Sequence, residues 1–172
     1  MSTPEHVDVL IVGAGLSGIG AACQLKTAHP DRSLALLEAR EASGGTWDLF
    51  RYPGIRSDSD MFTFGYKWRP WPSETALADG HTILDYVRTV AEEYGVDKLI
   101  RYRYRVTSAA WSSETARWTV GIEHDGKDQL WTFTGWRLVD LSTLRVRLKA
   151  EFQASNAELY RKTELSPPQS GR

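Results

Sequence analysis

Val7-Asp8-Val9-Leu10-Ile11-Val12-Gly13-Ala14-Gly15-Leu16-Ser17-Gly18 decides how this chain is read. Its first half is β-branched and apolar, the pattern of a strand buried on both faces. Its second half is a G-x-G-x-x-G turn. After the turn, Ile19, Ala22, Cys23 and Leu25 recur at helical spacing, so residues 16–28 are expected to form a helix. Leu34-Ala35-Leu36-Leu37 is a second apolar run and ends in Glu38. Strand, turn, helix and strand within about 30 residues form a βαβ unit, whose crossover implies a parallel pair. Each glycine has a reason in this setting. Gly13 permits the tight turn, Gly15 lets the backbone approach a pyrophosphate, and Gly18 lets the helix pack on the sheet. Phosphates would sit on the free N–H groups of the helix N-terminus, where the dipole favours anions. Glu38, an acid at the end of the next strand, could accept ribose hydroxyls. This much leaves open which dinucleotide is bound.

Further on, residues 39–60 are rich in Gly, Ser, Asp and Pro and read as loop. Residues 83–94 read as a helix with Ile83, Val87, Val90 and Tyr94 on one face and Gly95 at its end. Residues 100–106 alternate strictly and are expected to be one half-buried strand, with Arg101, Arg103 and Arg105 on a solvated face. Trp111, then residues 118–122, then residues 130–133 suggest an antiparallel meander with turns at 112–117 and at Asp125-Gly126. One more strand is expected within residues 136–141. The fold class is therefore α/β, a Rossmann-type parallel sheet carrying a β-meander insertion.

The run Gly44-Gly45-Thr46-Trp47-Asp48-Leu49-Phe50-Arg51-Tyr52-Pro53-Gly54-Ile55-Arg56-Ser57-Asp58-Ser59-Asp60-Met61 narrows the ligand. It closely resembles the Baeyer–Villiger and related flavin monooxygenases, most closely their ethionamide-activating group. Arg40 ahead of it, Arg69-Pro70-Trp71, Ala78-Asp79-Gly80 and Arg117-Trp118-Thr119-Val120 extend the resemblance over roughly residues 6–143. The resemblance implies an FAD-binding domain. Gly13, Gly15, Ser17 and Gly18 would hold the pyrophosphate, and Glu38 the adenosine ribose. Gly45, Thr46, Trp47 and Asp48 would lie along the FAD toward the flavin. Asp58 would sit near the flavin ring, Arg56, Ser57 and Asp58 would also face NADPH, and Val106 would contact the adenine. For Trp47 and Tyr52 ordinary loop packing is the alternative, and for Asp58 a turn or cap role.

The same resemblance sets out what the residues of this chain do not supply. The family adds a second G-x-G-x-x-G for NADPH and an F-x-G-x-x-x-H-x-x-x-W fingerprint, neither of which occurs in these 172 residues. Leu141-Ser142-Thr143 falls where the family reads Cys/Ser-Thr-Gly-Tyr, and Leu144-Arg145-Val146-Arg147 then departs from it. Residues 1–135 hold 14 Lys+Arg against 18 Asp+Glu, whereas residues 136–172 hold 7 against 4. All glycines except Gly171 lie at or before Gly135. The expected organisation is an incomplete FAD-binding domain over 1–143 and a divergent tail over 144–172. A shift of reading frame after residue 143 or a genuine variant terminus would each produce such a tail. The expected function is the N-terminal part of an FAD- and NADPH-dependent monooxygenase, inactive alone. Its alternatives are a dinucleotide-binding module without turnover and a remnant without function.

Composition sets the outer bounds. A net charge of −1 gives no reason to expect nucleic acid or an anionic membrane as partner. One cysteine, Cys23, excludes an internal disulfide and fits a reducing, cytoplasmic setting. The four histidines form no ligand-spaced pair, so no metal is expected. Glu5 and Asp8 do not suit a signal peptide, and no apolar run is long enough to span a bilayer. Gly15-Leu16-Ser17-Gly18 fails as a nucleophile elbow because Ile19 stands where glycine is needed. A small-molecule cofactor is the ligand expected, with no protein partner implied.

Overall fold

A computed structural model describes residues 5–133 and 139–140. In chain order its elements are β1 (Glu5–Val7), β2 (Val9–Val12), α1 (Leu16–Ala28), β3 (Leu34–Glu38), α2 (Thr46–Leu49) and α3 (Met61–Phe64). There follow α4 (Gly80–Glu93), β4 (Ile100–Tyr102), β5 (Tyr104–Ser112), β6 (Arg117–His124), β7 (Lys127–Phe133) and β8 (Val139–Asp140). Two four-stranded sheets result, in the orders β4-β3-β2-β8 and β1-β7-β6-β5. The first is parallel throughout: Val9 to Val12 pair with Leu34 to Leu37, Leu36 pairs with Ile100, and Ile11 pairs with Val139. The βαβ reading is therefore borne out, with β2 central.

Burial explains the apolar runs. Leu10, Ile11, Leu36 and Leu37 are all essentially inaccessible, although successive side chains point to opposite faces of the sheet. Ile11 and Leu36 share a cluster with Ile19, Ala22 and Cys23 of α1 and with Ile83, Val87 and Val90 of α4. Each buried Leu, Ile or Val of this cluster stabilises the fold by roughly 1.5–3 kcal/mol. Cys23 is core, as its place on the apolar face of α1 suggests, and burial pushes its thiol up to about 11. It is a packed hydrophobe rather than a nucleophile.

Two expected elements are divided, each for a local reason. The run 7–12 breaks at Asp8, whose carboxylate accepts from the amide of Ser33 (2.8 Å) and from its hydroxyl (2.7 Å). The amide of Asp8 in turn donates to the Ser33 hydroxyl at 2.8 Å. This knot turns the chain, so β1 pairs with β7 in the meander sheet while β2 enters the parallel sheet. The alternating run 100–106 likewise breaks at Arg103, which has φ of 64° and donates its amide to the carbonyl of Arg40 at 3.1 Å. Ile100 and Tyr102 thus belong to the parallel sheet, and Tyr104 and Val106 to the meander. Arg103 and Arg105 of that run are exposed as expected, and Arg101 is half-buried. Arg101 pairs with Glu5 and lies 4.4 Å over the Trp131 ring, and Arg103 pairs with Glu41.

The stretch 39–60, expected to be loop, contains the short helix α2, and the short helix α3 after it was likewise not marked by the apolar period. β5, β6 and β7 form the antiparallel meander, with Trp111 opposite Trp118 and Val120 opposite Trp131. α4 starts three residues earlier than the apolar period alone suggests, at Gly80, and ends against Gly95 in the left-handed region. β8 occupies two residues of the expected 136–141 strand. The tail 144–172, and with it the expected domain boundary at 143, lies outside the described residues.

Gly18 of the βαβ unit has no room for a side chain. A Cβ added there would lie 1.9 Å from the carbonyl oxygen of Gly13 and 3.5 Å from the Ile11 side chain. The close neighbour is backbone, which cannot swing aside as a flexible side chain could. Gly18→Ala should therefore destabilise the chain by about 1–3 kcal/mol or more, as overpacked sites do. Chemical denaturation with a fluorescence readout from the tryptophans measures this, and an unchanged midpoint would contradict the packing.

Candidate functional site

β2 delivers Gly13, and the backbone then turns into α1 with Gly15 as its N-cap. No side chain caps this terminus and its first turn carries no acid. The first amides of the helix thus have no intrahelical acceptor, and the partial positive charge there is not neutralised. Ser17 is exposed on the first turn and Gly18 faces the strand. Tyr66 steadies the same turn from the other side, donating its hydroxyl to the Leu16 carbonyl.

Glu38, the last residue of β3, is 7 % exposed and points back at this turn. One carboxylate oxygen accepts the Ala14 amide at 2.8 Å, and the other accepts the Arg40 amide at 2.9 Å. Two charge-assisted bonds to backbone explain how a carboxylate is held at this depth. Each oxygen keeps a lone pair, so further donors can still be accepted.

The second glycine pair folds onto the first turn. The Gly44 amide donates to the Ala14 carbonyl at 2.8 Å. Gly45 has φ of 56° and comes so near the turn that an added Cβ would lie 2.9 Å from the Gly15 Cα. The structure therefore brings together Gly13, Gly15, Ser17, Gly18, Glu38 and Gly45, which are spread over 33 positions of sequence. Thr46 and Trp47 follow in α2, the first exposed and the second packed edge-on against Phe64 at 5.8 Å.

Asp48 behaves differently from its neighbours. Its side chain is 2 % exposed and accepts from three guanidinium groups: Arg40, Arg88 at 2.8 Å and Arg51 at 3.0 Å. Burial by itself would raise this carboxyl. The Arg40 hydrogen bond and the charges of Arg40, Arg51 and Arg88 outweigh burial and hold it below the ordinary carboxylate value. Asp48 is thus buried and engaged by arginines on both carboxylate oxygens. Arg88 was not a candidate from the sequence, because nothing in the α4 period marks it. Asp48 and Arg51, three residues apart, were the one local sign of the ion cluster.

The remaining candidates are more dispersed. Arg56 forms an isolated bridge with Asp79, Ser57 is buried with its hydroxyl donating to the Ser59 carbonyl, and Asp58 is exposed. Val106 is buried in β5 opposite Ile122. Beside α2 lies an open cleft of about 610 Å³, walled by Trp47, Tyr52, Ile55 and Leu84 with Arg51 and Arg88 at one side. Among the described residues no group of three or more His, Cys, Asp or Glu could hold a metal ion. No helix among them is long and apolar enough to cross a membrane.

Comparison with known proteins bears directly on this site. Residues 11–72 match the NAD(P)-binding Rossmann-like domain family, a span that contains both glycine turns and Glu38. Residues 111–163 match the Type II restriction enzyme MjaV family, a span that runs from the meander into the tail. Of the curated relatives, MymA of Mycobacterium tuberculosis, named as an FAD-containing monooxygenase, is 57 % identical over 130 residues, 76 % of this chain and 26 % of MymA. The FAD-containing monooxygenase EthA of the same organism is 57 % identical over 122 residues, 71 % of this chain and 25 % of EthA. Among solved structures, an oxidised steroid monooxygenase bound to NADP superposes with a TM-score of 0.65 at 31 % identity, over 73 % of this chain and 25 % of that one. The chain spans about a quarter of the length of the curated relatives it matches.

The Asp48 cluster sets an acid limit on stability. A carboxylate held below its unfolded value stabilises the fold above that value, about 3.9, and the contribution is lost as pH falls through the folded value. Stability should hold from neutral pH to about 5 and then decline, and Asp48→Asn should flatten part of that decline while costing about 1–3 kcal/mol at neutral pH. Urea midpoints measured from pH 3 to 7 test this. An Asp48→Asn curve parallel to wild type throughout would contradict it.

Proposed function

We propose, from a chain about three quarters of which matches FAD-containing monooxygenases, that this site binds FAD as part of such an enzyme. A single observation carries the reading. The carboxylate of Glu38 and the second glycine pair each hydrogen-bond the amide-rich turn that opens α1, both at Ala14. That is the set of groups a dinucleotide requires: free amides for a pyrophosphate, an acceptor for ribose hydroxyls, and side-chain-free backbone between them.

In this reading Gly13, Gly15, Ser17 and Gly18 hold the pyrophosphate on the N-terminus of α1, where the helix dipole favours anions. Glu38 accepts the ribose hydroxyls with the lone pairs that the Ala14 and Arg40 amides leave. Gly45, Thr46 and Trp47 continue along the ligand toward the flavin. Arg56, Ser57 and Asp58 form the loop that faces the flavin and NADPH, and Val106 lies toward the adenine. FAD, when bound, supplies the redox chemistry by which such enzymes use oxygen on a carbonyl or a sulfur. The residues here bind and orient it. The reading needs only small-molecule cofactors, with no nucleic acid or protein partner, and a cytoplasmic location.

A nicotinamide dinucleotide is the second reading, favoured by the match of residues 11–72 to an NAD(P)-binding family. It requires the same turn and the same acid, and competition between FAD and NADP for the purified chain separates the two. Flavin absorbance of the isolated protein, and its loss on dialysis, tests the first directly.

Glu38→Ala should weaken FAD retention by about 1–3 kcal/mol, the worth of its hydrogen bonds to the ribose. Titration followed by flavin fluorescence measures this, and an affinity equal to wild type would remove Glu38 from the site. The 172-residue chain should also show no NADPH-dependent oxygenation of ketones or sulfides, since it carries one G-x-G-x-x-G and not two. Turnover above the background of free flavin would overturn that expectation.

A further inference from the structure

We infer that Asp48 is a positioning residue: it organises the arginines that clamp the second glycine turn onto the first. The chain of contacts is continuous. Arg40 donates one guanidinium nitrogen to Asp48 and another to the Gly45 carbonyl at 3.2 Å. Arg88 donates to Asp48 at 2.8 Å and to the Ser43 carbonyl at 3.0 Å. The carbonyls on both sides of Gly44 are therefore held by cations, and both cations are held by one buried carboxylate. Gly44 itself donates to Ala14, and Gly45 rests on Gly15. The backbone amide of Arg40 also binds Glu38 at 2.9 Å. Through Arg40 and Arg88, one residue thus connects to the second glycine pair and to Glu38, and through Gly44 and Gly45 to the first glycine turn.

The charge balance shows why a carboxylate is needed. Three guanidinium groups converge on a carboxylate that is 2 % exposed, and although their own side chains keep 35 %, 75 % and 38 % exposure, they would repel one another there without Asp48. Arg51 is the most exposed of them and reaches only Asp48, through its side chain and its carbonyl, so it closes the cluster without touching the turn. Arg40 and Arg88 are the arms that matter for the site. Asparagine at position 48 keeps the shape and removes the charge. Glutamate keeps the charge at a slightly longer reach.

The ligand part of this inference rests on the FAD reading, whereas the clamp itself does not. The test uses the full 172-residue chain, labelled for amide hydrogen exchange, in wild type, Asp48→Asn and Asp48→Glu. The Gly44 amide should exchange about tenfold faster in Asp48→Asn, while the Ile11 and Leu36 amides of the parallel sheet stay protected. Asp48→Glu should restore much of the protection. FAD affinity should fall by about tenfold in Asp48→Asn and recover in Asp48→Glu. If wild type binds no FAD, the cofactor reading fails, and the exchange data still decide the clamp. Gly44 exchanging as in wild type, or accelerating only in step with the core amides, would overturn the inference and leave Asp48 a general stabiliser. Should Asp48→Asn fail to fold, Arg88→Gln removes one arm alone. Faster exchange at Gly44 with an unchanged core then supports the clamp, and no change at Gly44 refutes it.

Discussion

The contact between α1 and β2 at Gly18 is the constraint from which the rest of the site follows. With no side chain at that position, the helix axis can approach the strand until its backbone touches the Gly13 carbonyl. That approach brings the uncapped N-terminus of α1 directly to the end of the central strand. Any larger residue would tilt the helix away and carry its free amides with it. Every other group at the site is arranged against this fixed edge: Glu38 from the neighbouring strand, Gly44 and Gly45 from the loop beyond.

Two buried carboxylates within one loop length do opposite jobs. Glu38 is satisfied by backbone amides, which hold it in place and leave it free to accept more. Asp48 is held instead by three guanidinium groups, two on Oδ1 and one on Oδ2. The difference lies in the donors. An amide brings a dipole, so the glutamate keeps its negative charge for whatever approaches. Three arginines bring more positive charge than the aspartate can cancel, so its charge is spent within the protein. Chemical type alone does not separate a ligand-binding acid from a positioning acid; the partners do.

Much of this was legible in the amino-acid order. Helix α1 and strand β3 fall on the residues that the apolar period marks, and the glycine turn falls between β2 and α1. Periodicity works there because one sheet buries the whole element. It fails where a single periodic run serves two sheets. The alternation from Ile100 to Val106 continues through Arg103, yet a left-handed residue moves the chain from one sheet to the other. Asp8 does the same through its bonds to Ser33, a partner 25 residues away. The burial of Asp48 among arginines was hidden for a related reason, since Arg88 sits 40 residues beyond it on a different helix. Local pattern reports local geometry, and these three features depend on distant partners.

The most direct test of the account is to map where FAD touches the chain. Titrating FAD into uniformly labelled protein and following the backbone amide resonances gives a residue-by-residue answer. The account requires the largest shifts at residues 13–18, at Glu38 to Arg40 and at Gly44 to Trp47, with little change in the meander turns at 113–116 and 125–126. Shifts confined to the cleft between α2 and α4, or none at saturating FAD, would contradict it.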